Sequence, residues 1–198
     1  MAGNKKVVLA YSGGLDTSVI VKWLADKGYD VIAVTVDLGQ NDDLNLKEKA
    51  LASGAKKFYL VDAKEEFVKE GVFQCLKAEA KYEGRYLLGT SIARPFIMKK
   101  LVEIAKKEGT NILAHGATGK GNDQCRFELT AYALMPNAEI IAPWRIKEFR
   151  DLIPGRKEAI EFAKKHSIPV DASPKKPWST DPNVAHRSHE AGLRRPGF

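Results

Sequence analysis

The chain is short of cysteine, of long apolar runs and of repeats, and each shortage removes a class of protein. Among 198 residues only Cys75 and Cys125 occur, fifty positions apart, without C-x-x-C spacing or a neighbouring histidine pair. A disulfide scaffold and a zinc knuckle are thereby excluded, and both thiols are expected in the core. No stretch approaches the 18 or more apolar residues of a membrane span, so none is expected. Met1 to Lys6 leads directly into a strand-like segment, without the apolar stretch and cleavage site of an export signal, and a cytoplasmic location is the expectation. Basic runs interleaved with aromatics are missing as well. The net charge of +7 is concentrated late: residues 145–198 hold twelve Lys/Arg against seven Asp/Glu, leaving the first 144 residues at 20 against 18. A solvated surface or an anionic small ligand accounts for that as well as nucleic acid does, and no nucleic-acid partner is expected.

What is present is a regular alternation. Val7 to Tyr11 reads as a buried parallel strand and is followed by helical spacing of Val19, Ile20, Trp23 and Leu24 from an N-cap at Thr17 to a stop at Gly28. Strands are expected at 31–36, 56–61, 111–114 and 138–142, and helices at 44–53, 65–80, 91–108, 124–134 and 156–166. Such β-α alternation predicts an α/β fold, a Rossmann-like parallel sheet with helices on both faces, over residues 1–170. After Pro169 the chain turns polar, basic and proline-punctuated, with no periodic apolar face, so 171–198 is expected to be a proline-rich basic tail, either a loop-like ligand contact or the start of a second domain.

Between the first strand and helix lies Ser12-Gly13-Gly14-Leu15-Asp16-Thr17-Ser18, at the carboxyl edge where such sheets bind nucleotides. The paired glycines let backbone N–H groups turn toward one anion, and the helix start adds its dipole and unpaired donors. The hydroxyls of Ser12, Thr17 and Ser18 are expected in the same space, and Asp16 is the candidate ligand for Mg²⁺ accompanying a polyphosphate. A plain strand-to-helix turn would need only the glycines and a cap. The loop lacks the lysine of a Walker A motif and does not match G-x-G-x-x-G. It resembles the S-G-G-x-D-[ST]-[ST] loop of the ATP pyrophosphatases, an adenine nucleotide alpha hydrolase-like group. That resemblance implies cleavage of ATP between its α- and β-phosphates and transfer of AMP to a substrate oxygen, with Ser12 and Asp16 as the catalytic residues.

A second cluster, His115 to Gln124, follows the fourth strand and so falls on the same sheet edge. Its glycines permit close approach, and Asn122, Asp123 and Arg126 offer an amide, a carboxylate and a guanidinium suited to a zwitterionic amino acid. A surface loop with a helix cap at Asn122 or Asp123 is the alternative. His115 reads as a satisfied structural histidine rather than a proton carrier.

Taken in order, Ala10 to Ser18, Tyr82 to Ser91, His115 to Arg126 and Ala142-Pro143-Trp144 resemble the signatures of the argininosuccinate synthase family. The resemblance covers residues 5 to about 192. It implies a ligase that joins citrulline to aspartate with ATP and Mg²⁺, in arginine biosynthesis and the urea cycle, as a homotetramer in the full-length family. It would place ATP on Ala10, Tyr11, Ser12, Gly13, Gly14, Leu15, Asp16, Thr17, Ser18, Val36 and Gly116. It would place citrulline on Tyr86, Ser91, Asn122, Arg126, Ser179 and Ser188, and aspartate on Thr118, Asn122 and Asp123. From the residues alone, Tyr86 reads as a core aromatic and both serines as solvent-exposed. Val36 stands where the family usually shows alanine. Family members are about twice as long, with a second domain and a C-terminal helix used in assembly, and Leu193 to Phe198 is unlike them. These 198 residues are therefore expected to bind ATP yet make little argininosuccinate. Another ATP pyrophosphatase, such as a tRNA-modifying enzyme, and a non-catalytic nucleotide-binding protein are the alternatives.

Overall fold

The alternation of buried side chains along two strands dictates the architecture. In β1 (Lys6–Ala10) and β2 (Asp30–Asp37), Val7, Leu9, Val31 and Ala33 point to one face, and Val8, Ile32, Val34 and Val36 to the other. All eight are buried, so both faces of the sheet need cover. In the computed structural model, which describes residues 4–40, 44, 46–119, 121–169 and 179–190, helices supply it on each side. α1 (Leu15–Asp26), α2 (Lys47–Ala52), α7 (Lys147–Leu152) and α8 (Arg156–Lys165) pack on the first face. The second is covered by α3 (Lys64–Phe67), the π turn that follows it (Val68–Val72), α5 (Gly89–Glu108) and α6 (Asn122–Leu134); α4 (Phe73–Lys77), which continues the π turn, buries no residue.

With β3 (Lys57–Asp62), β4 (Ile112–Ala114) and β5 (Glu139–Ile141), the strands form one parallel sheet in the order β3-β2-β1-β4-β5. The chain builds outward from β1 on one side, then crosses to the other. That reversal between β1 and β4 leaves a crevice at their carboxyl ends, the position at which open α/β sheets take ligands.

Several expectations change. α1 starts at Leu15, not after Thr17, because Gly14 is the extended cap whose carbonyl already accepts the Ser18 N–H at 3.1 Å. α6 likewise begins at Asn122, so Asn122 and Asp123 lie in its first turn rather than capping it. Cys125 is exposed and Cys75 half-buried, which corrects the expectation of two core thiols: α6 buries only Phe127 and Ala131, and Cys125 lies on its outer side. The late segment is not wholly loop-like either. Ser179–Pro182 (β6) and Arg187–Glu190 (β7) pair as an antiparallel hairpin. No apolar periodicity announces it because polar contacts dock it: Val184 N–H donates to Leu38 O at 2.9 Å, and Gly89 N–H to His186 Nε2 at 2.8 Å. Residues 170–178 and 191–198, with Pro174, Pro177, Trp178 and Pro196, lie outside the described residues, as does Lys120. Among the described residues no helix is long and apolar enough to cross a membrane.

Candidate functional site

The first loop forms because β1 ends abruptly. Gly13 has φ +73, a conformation that side chains rarely adopt, and a Cβ there would also push aside the tip of the Leu46 side chain, 2.6 Å away, so glycine is called for by the backbone. Gly14 then opens α1 with its unpaired N-terminal amides. The Ser12 and Thr17 hydroxyls lie 3.0 Å apart, and the Ser12 hydroxyl also accepts the Gly14 N–H at 3.4 Å. Together they border a cleft of about 550 Å³ at the crevice between β1 and β4. Ala10, Tyr11, Ser12, Gly14, Asp16, Thr17, Val36 and Gly116 line it; Gly13, Leu15 and Ser18 do not. The Ser18 hydroxyl, expected among the donors, is fully buried and paired with the Tyr11 hydroxyl at 3.1 Å. It stiffens the loop from beneath. Gly116 keeps the two loops close: a Cβ on it would stand 3.3 Å from Thr17 and from Ile20.

A second cavity of about 560 Å³ adjoins the cleft, and Thr90 borders both. Tyr86, Ser91, Arg126 and Ser188 meet in it, from α5, α6, the preceding loop and the hairpin. The Tyr86 hydroxyl accepts the Ser91 N–H at 3.1 Å. Burial raises the phenol, but hydrogen bonds from Ser91, Thr90 and Ser188 outweigh it and leave the group below its usual range. Tyr86 is half-buried, between its two readings. Thr118 and Asp123 border the first cleft, whereas Asn122 is exposed and borders neither; the Ser179 side chain lies outside the described residues.

The charges that hold this arrangement were partly missed. Arg94 donates from Nε to Asp123 at 2.8 Å and from Nη2 to Asp181 at 3.0 Å, tying α5, α6 and β6 together beside the cleft. Burial opposes its charge, but the two carboxylates more than compensate and hold it protonated. Asp123 also accepts from Arg126 at 2.8 Å. The signal was helical spacing: Thr90, Ala93, Arg94 and Ile97 share one stripe of α5, and all four line the cleft. Asp16 faces solvent along one side but is crowded by the cleft walls; desolvation raises its carboxyl, with Arg156 pulling the other way. His115 is fully buried and stacked on Phe127; its Nδ1 accepts the Ala117 N–H, which puts the proton on Nε2, 3.5 Å from Glu128. Desolvation depresses it, against the pull of Glu128, and favours the neutral form, but its buried Nε2 makes no hydrogen bond among the described residues, so the histidine is not fully satisfied as expected.

This geometry of loop, crevice and adjoining cavity coincides with a family pattern. Residues 6–169 match the family described as the arginosuccinate synthase N-terminal HUP domain. The chain belongs to the argininosuccinate synthase family. Argininosuccinate synthase of Xenopus tropicalis is 57% identical over 188 residues, covering 94% of this chain and 46% of that protein. Its counterpart in Thermotoga petrophila is 58% identical over 197 residues, covering 98% and 48%. The chain thus spans about half the length of the curated relatives it matches. Among solved structures, the NMN synthetase of Francisella tularensis is similar in fold, with a TM-score of 0.52 at 17% identity over 86% of this chain and 66% of that one.

Proposed function

We propose that the crevice binds ATP with Mg²⁺ and that the adjoining cavity presents citrulline to its α-phosphorus, as in an argininosuccinate-forming ligase. The observation that carries this reading is the shared Thr90 wall: a substrate held by Tyr86, Ser91, Arg126 and Ser188 lies next to the phosphate loop rather than across the molecule from it. The ureido oxygen attacks the α-phosphorus and pyrophosphate leaves with the bridging oxygen. The aspartate amine, placed by Thr118 and Asp123, then attacks the activated ureido carbon, loses a proton and expels AMP.

Few side chains need to move protons in this scheme. Ser12, Thr17 and the amides of the Gly14 turn stabilise charge on phosphate oxygens, and positioning supplies the rest. Among the described residues no cluster of three or more acidic, histidine or cysteine side chains is built for a metal. One carboxylate nonetheless fits Mg²⁺, which takes most of its ligands from phosphates and water, and Asp16 is that carboxylate. When bound, the ion neutralises charge on the departing pyrophosphate.

Isotope exchange between pyrophosphate and ATP tests the reading. Exchange that requires citrulline and ignores tRNA is expected. Exchange driven by tRNA would favour a tRNA-modifying relative, and none at all beside intact ATP binding would leave a nucleotide-binding protein without adenylation chemistry.

A further inference from the structure

The edge of β2 carries a feature that neither the phosphate loop nor the citrulline cavity uses. Tyr11 is the last residue of the first strand segment to pair with β2, its N–H reaching Val34 O at 2.8 Å. Beyond it β1 turns away into the phosphate loop, while β2 runs on to Asp37. The next groups on that edge lose their strand partner. Val36 C=O points the same way as Val34 C=O, two residues before it. Asp37 C=O goes to the opposite edge, accepting the Ala63 N–H of the β3 side at 3.0 Å, so across the same trans peptide the Leu38 N–H points to the β1 side. Val36 and Leu38 both line the nucleotide cleft. One acceptor and one donor, side by side and over the cleft, are left needing partners.

The Gln40 carboxamide takes both. Its Oε1 accepts the Leu38 N–H at 2.8 Å, and its Nε2 donates to Val36 O at 3.1 Å. A backbone N–H can only donate and a carbonyl only accept, so the orientation of the amide is fixed. The pair it presents, an N–H donor beside a lone-pair acceptor on a planar group, is the pattern of the adenine 6-amino group beside N1. The surroundings suit a purine: Val36, Leu38, Ala93, Ile97 and Phe127 are apolar cleft walls.

We propose that the Gln40 carboxamide is a displaceable stand-in for adenine: the base swaps in, its 6-amino group donating to Val36 O and its N1 accepting from Leu38 N–H, and Gln40 swings out. The proposal rests on the ATP reading above and deepens it to base selection. Guanine and hypoxanthine carry an oxygen at position 6 and a proton on N1, so both contacts become acceptor against acceptor and donor against donor. They cannot outcompete the amide. Gln40 thus lowers the apparent affinity for every nucleotide, and only a base with the adenine pattern recovers it.

Calorimetric titration with ATP, ITP and tripolyphosphate tests this, since ITP differs from ATP only at that edge. Wild-type protein should prefer ATP over ITP by about tenfold or more, the signature of mispaired polar groups in a site built to pair them. Gln40→Ala should bind ATP several-fold tighter and tripolyphosphate unchanged. If Gln40→Ala binds ATP more weakly with tripolyphosphate unchanged, Gln40 contacts the nucleotide rather than yielding to it, and the proposal is wrong. Should the variant not fold, the side-chain amide resonance of Gln40 in wild-type protein decides: it should move on adding ATP and stay still on adding tripolyphosphate. A resonance unmoved by saturating ATP refutes the exchange while leaving the ATP reading intact; failure of both ATP and tripolyphosphate to bind removes both.

Discussion

At Asp16 the fold holds a carboxylate where its charge is unwelcome. Desolvation raises its carboxyl above the ordinary 3.8, so the folded chain holds that proton more tightly than the unfolded one. Stability therefore falls as pH rises through the window above 3.8, and the ionised residue weakens the fold at neutral pH. Asp16→Asn should raise Tm at pH 7 while weakening Mg²⁺-dependent ATP binding by about tenfold or more, which is about 1.4 kcal/mol. Thermal melts and titrations with and without Mg²⁺ check both halves; a variant that loses stability without losing affinity would remove Asp16 from the metal site. In wild-type protein the Mg²⁺-dependent part of ATP affinity should fade on acidification at a higher pH than an ordinary carboxylate gives, and Asp16→Asn should abolish that fade. Ser12, Gly14, Asp16 and Thr17, which line the cleft, are marked in the sequence by the paired glycines between strand and helix. The inward turn of Ser18 is not, because a serine two residues past an aspartate carries no mark of which way the helix turns it. Arg94 and Gln40 went unseen for a related reason: their partners, Asp181 and the Val36–Leu38 edge, come from elsewhere in the chain or from backbone.

Among the elements, the sheet and its main helices follow from periodicity, while the elements fixed by polar contacts do not. The C-terminal end of α5 is anchored by Glu108, nearly buried, which takes Lys57, Lys6 and the Tyr59 hydroxyl at 2.5 Å. The hydrogen bond from Tyr59 and those from Lys57 and Lys6 push its carboxyl down to about 2 from 4.5. Because the folded value is depressed, the stability it contributes is complete above 4.5 and is lost as pH falls toward 2. The lysine partners reach into solvent, so screening trims the benefit to about 1 kcal/mol. Glu108→Gln should cost that much in urea denaturation at pH 7 and almost nothing near pH 2; an equal cost at both would mean that packing, not charge, anchors the helix. The hairpin β6–β7 rests on single polar ties to Leu38, Gly89, Thr90 and Arg94. A Cβ on Gly89 would come within 2.6 Å of His186 Nε2, displacing the acceptor of the first α5 amide. Gly89→Ala should speed exchange of the Val184 amide while leaving sheet amides protected, as read by hydrogen exchange. Unchanged Val184 protection would show that the hairpin does not depend on that contact.

Across the whole molecule, one crossing of the chain explains why distant motifs form one site. Strand order β3-β2-β1-β4-β5 puts the loop after β1 beside the loop after β4, although about a hundred residues separate them. Alternation in the sequence makes the parallel sheet legible, and the glycines mark both loops, but the adjoining cavity depends on where the hairpin docks. No local pattern in residues 179–190 encodes that, since its anchors are Leu38, Gly89, Thr90 and Arg94. The account therefore stands or falls on the phosphate loop at the crossing. Gly14 borders the cleft, a Cβ on it would meet the Ser12 hydroxyl at an ordinary contact of 3.4 Å, and a larger side chain there would stand between the backbone amides and a phosphate. Its φ of −74 is open to any residue, so valine should be tolerated by the fold. Titration of Mg·ATP into wild type and Gly14→Val, with Tm recorded for each, is the most direct test. The account predicts one ATP per chain for the wild type and at least tenfold weaker binding for a variant of similar Tm; equal affinities would place the nucleotide elsewhere.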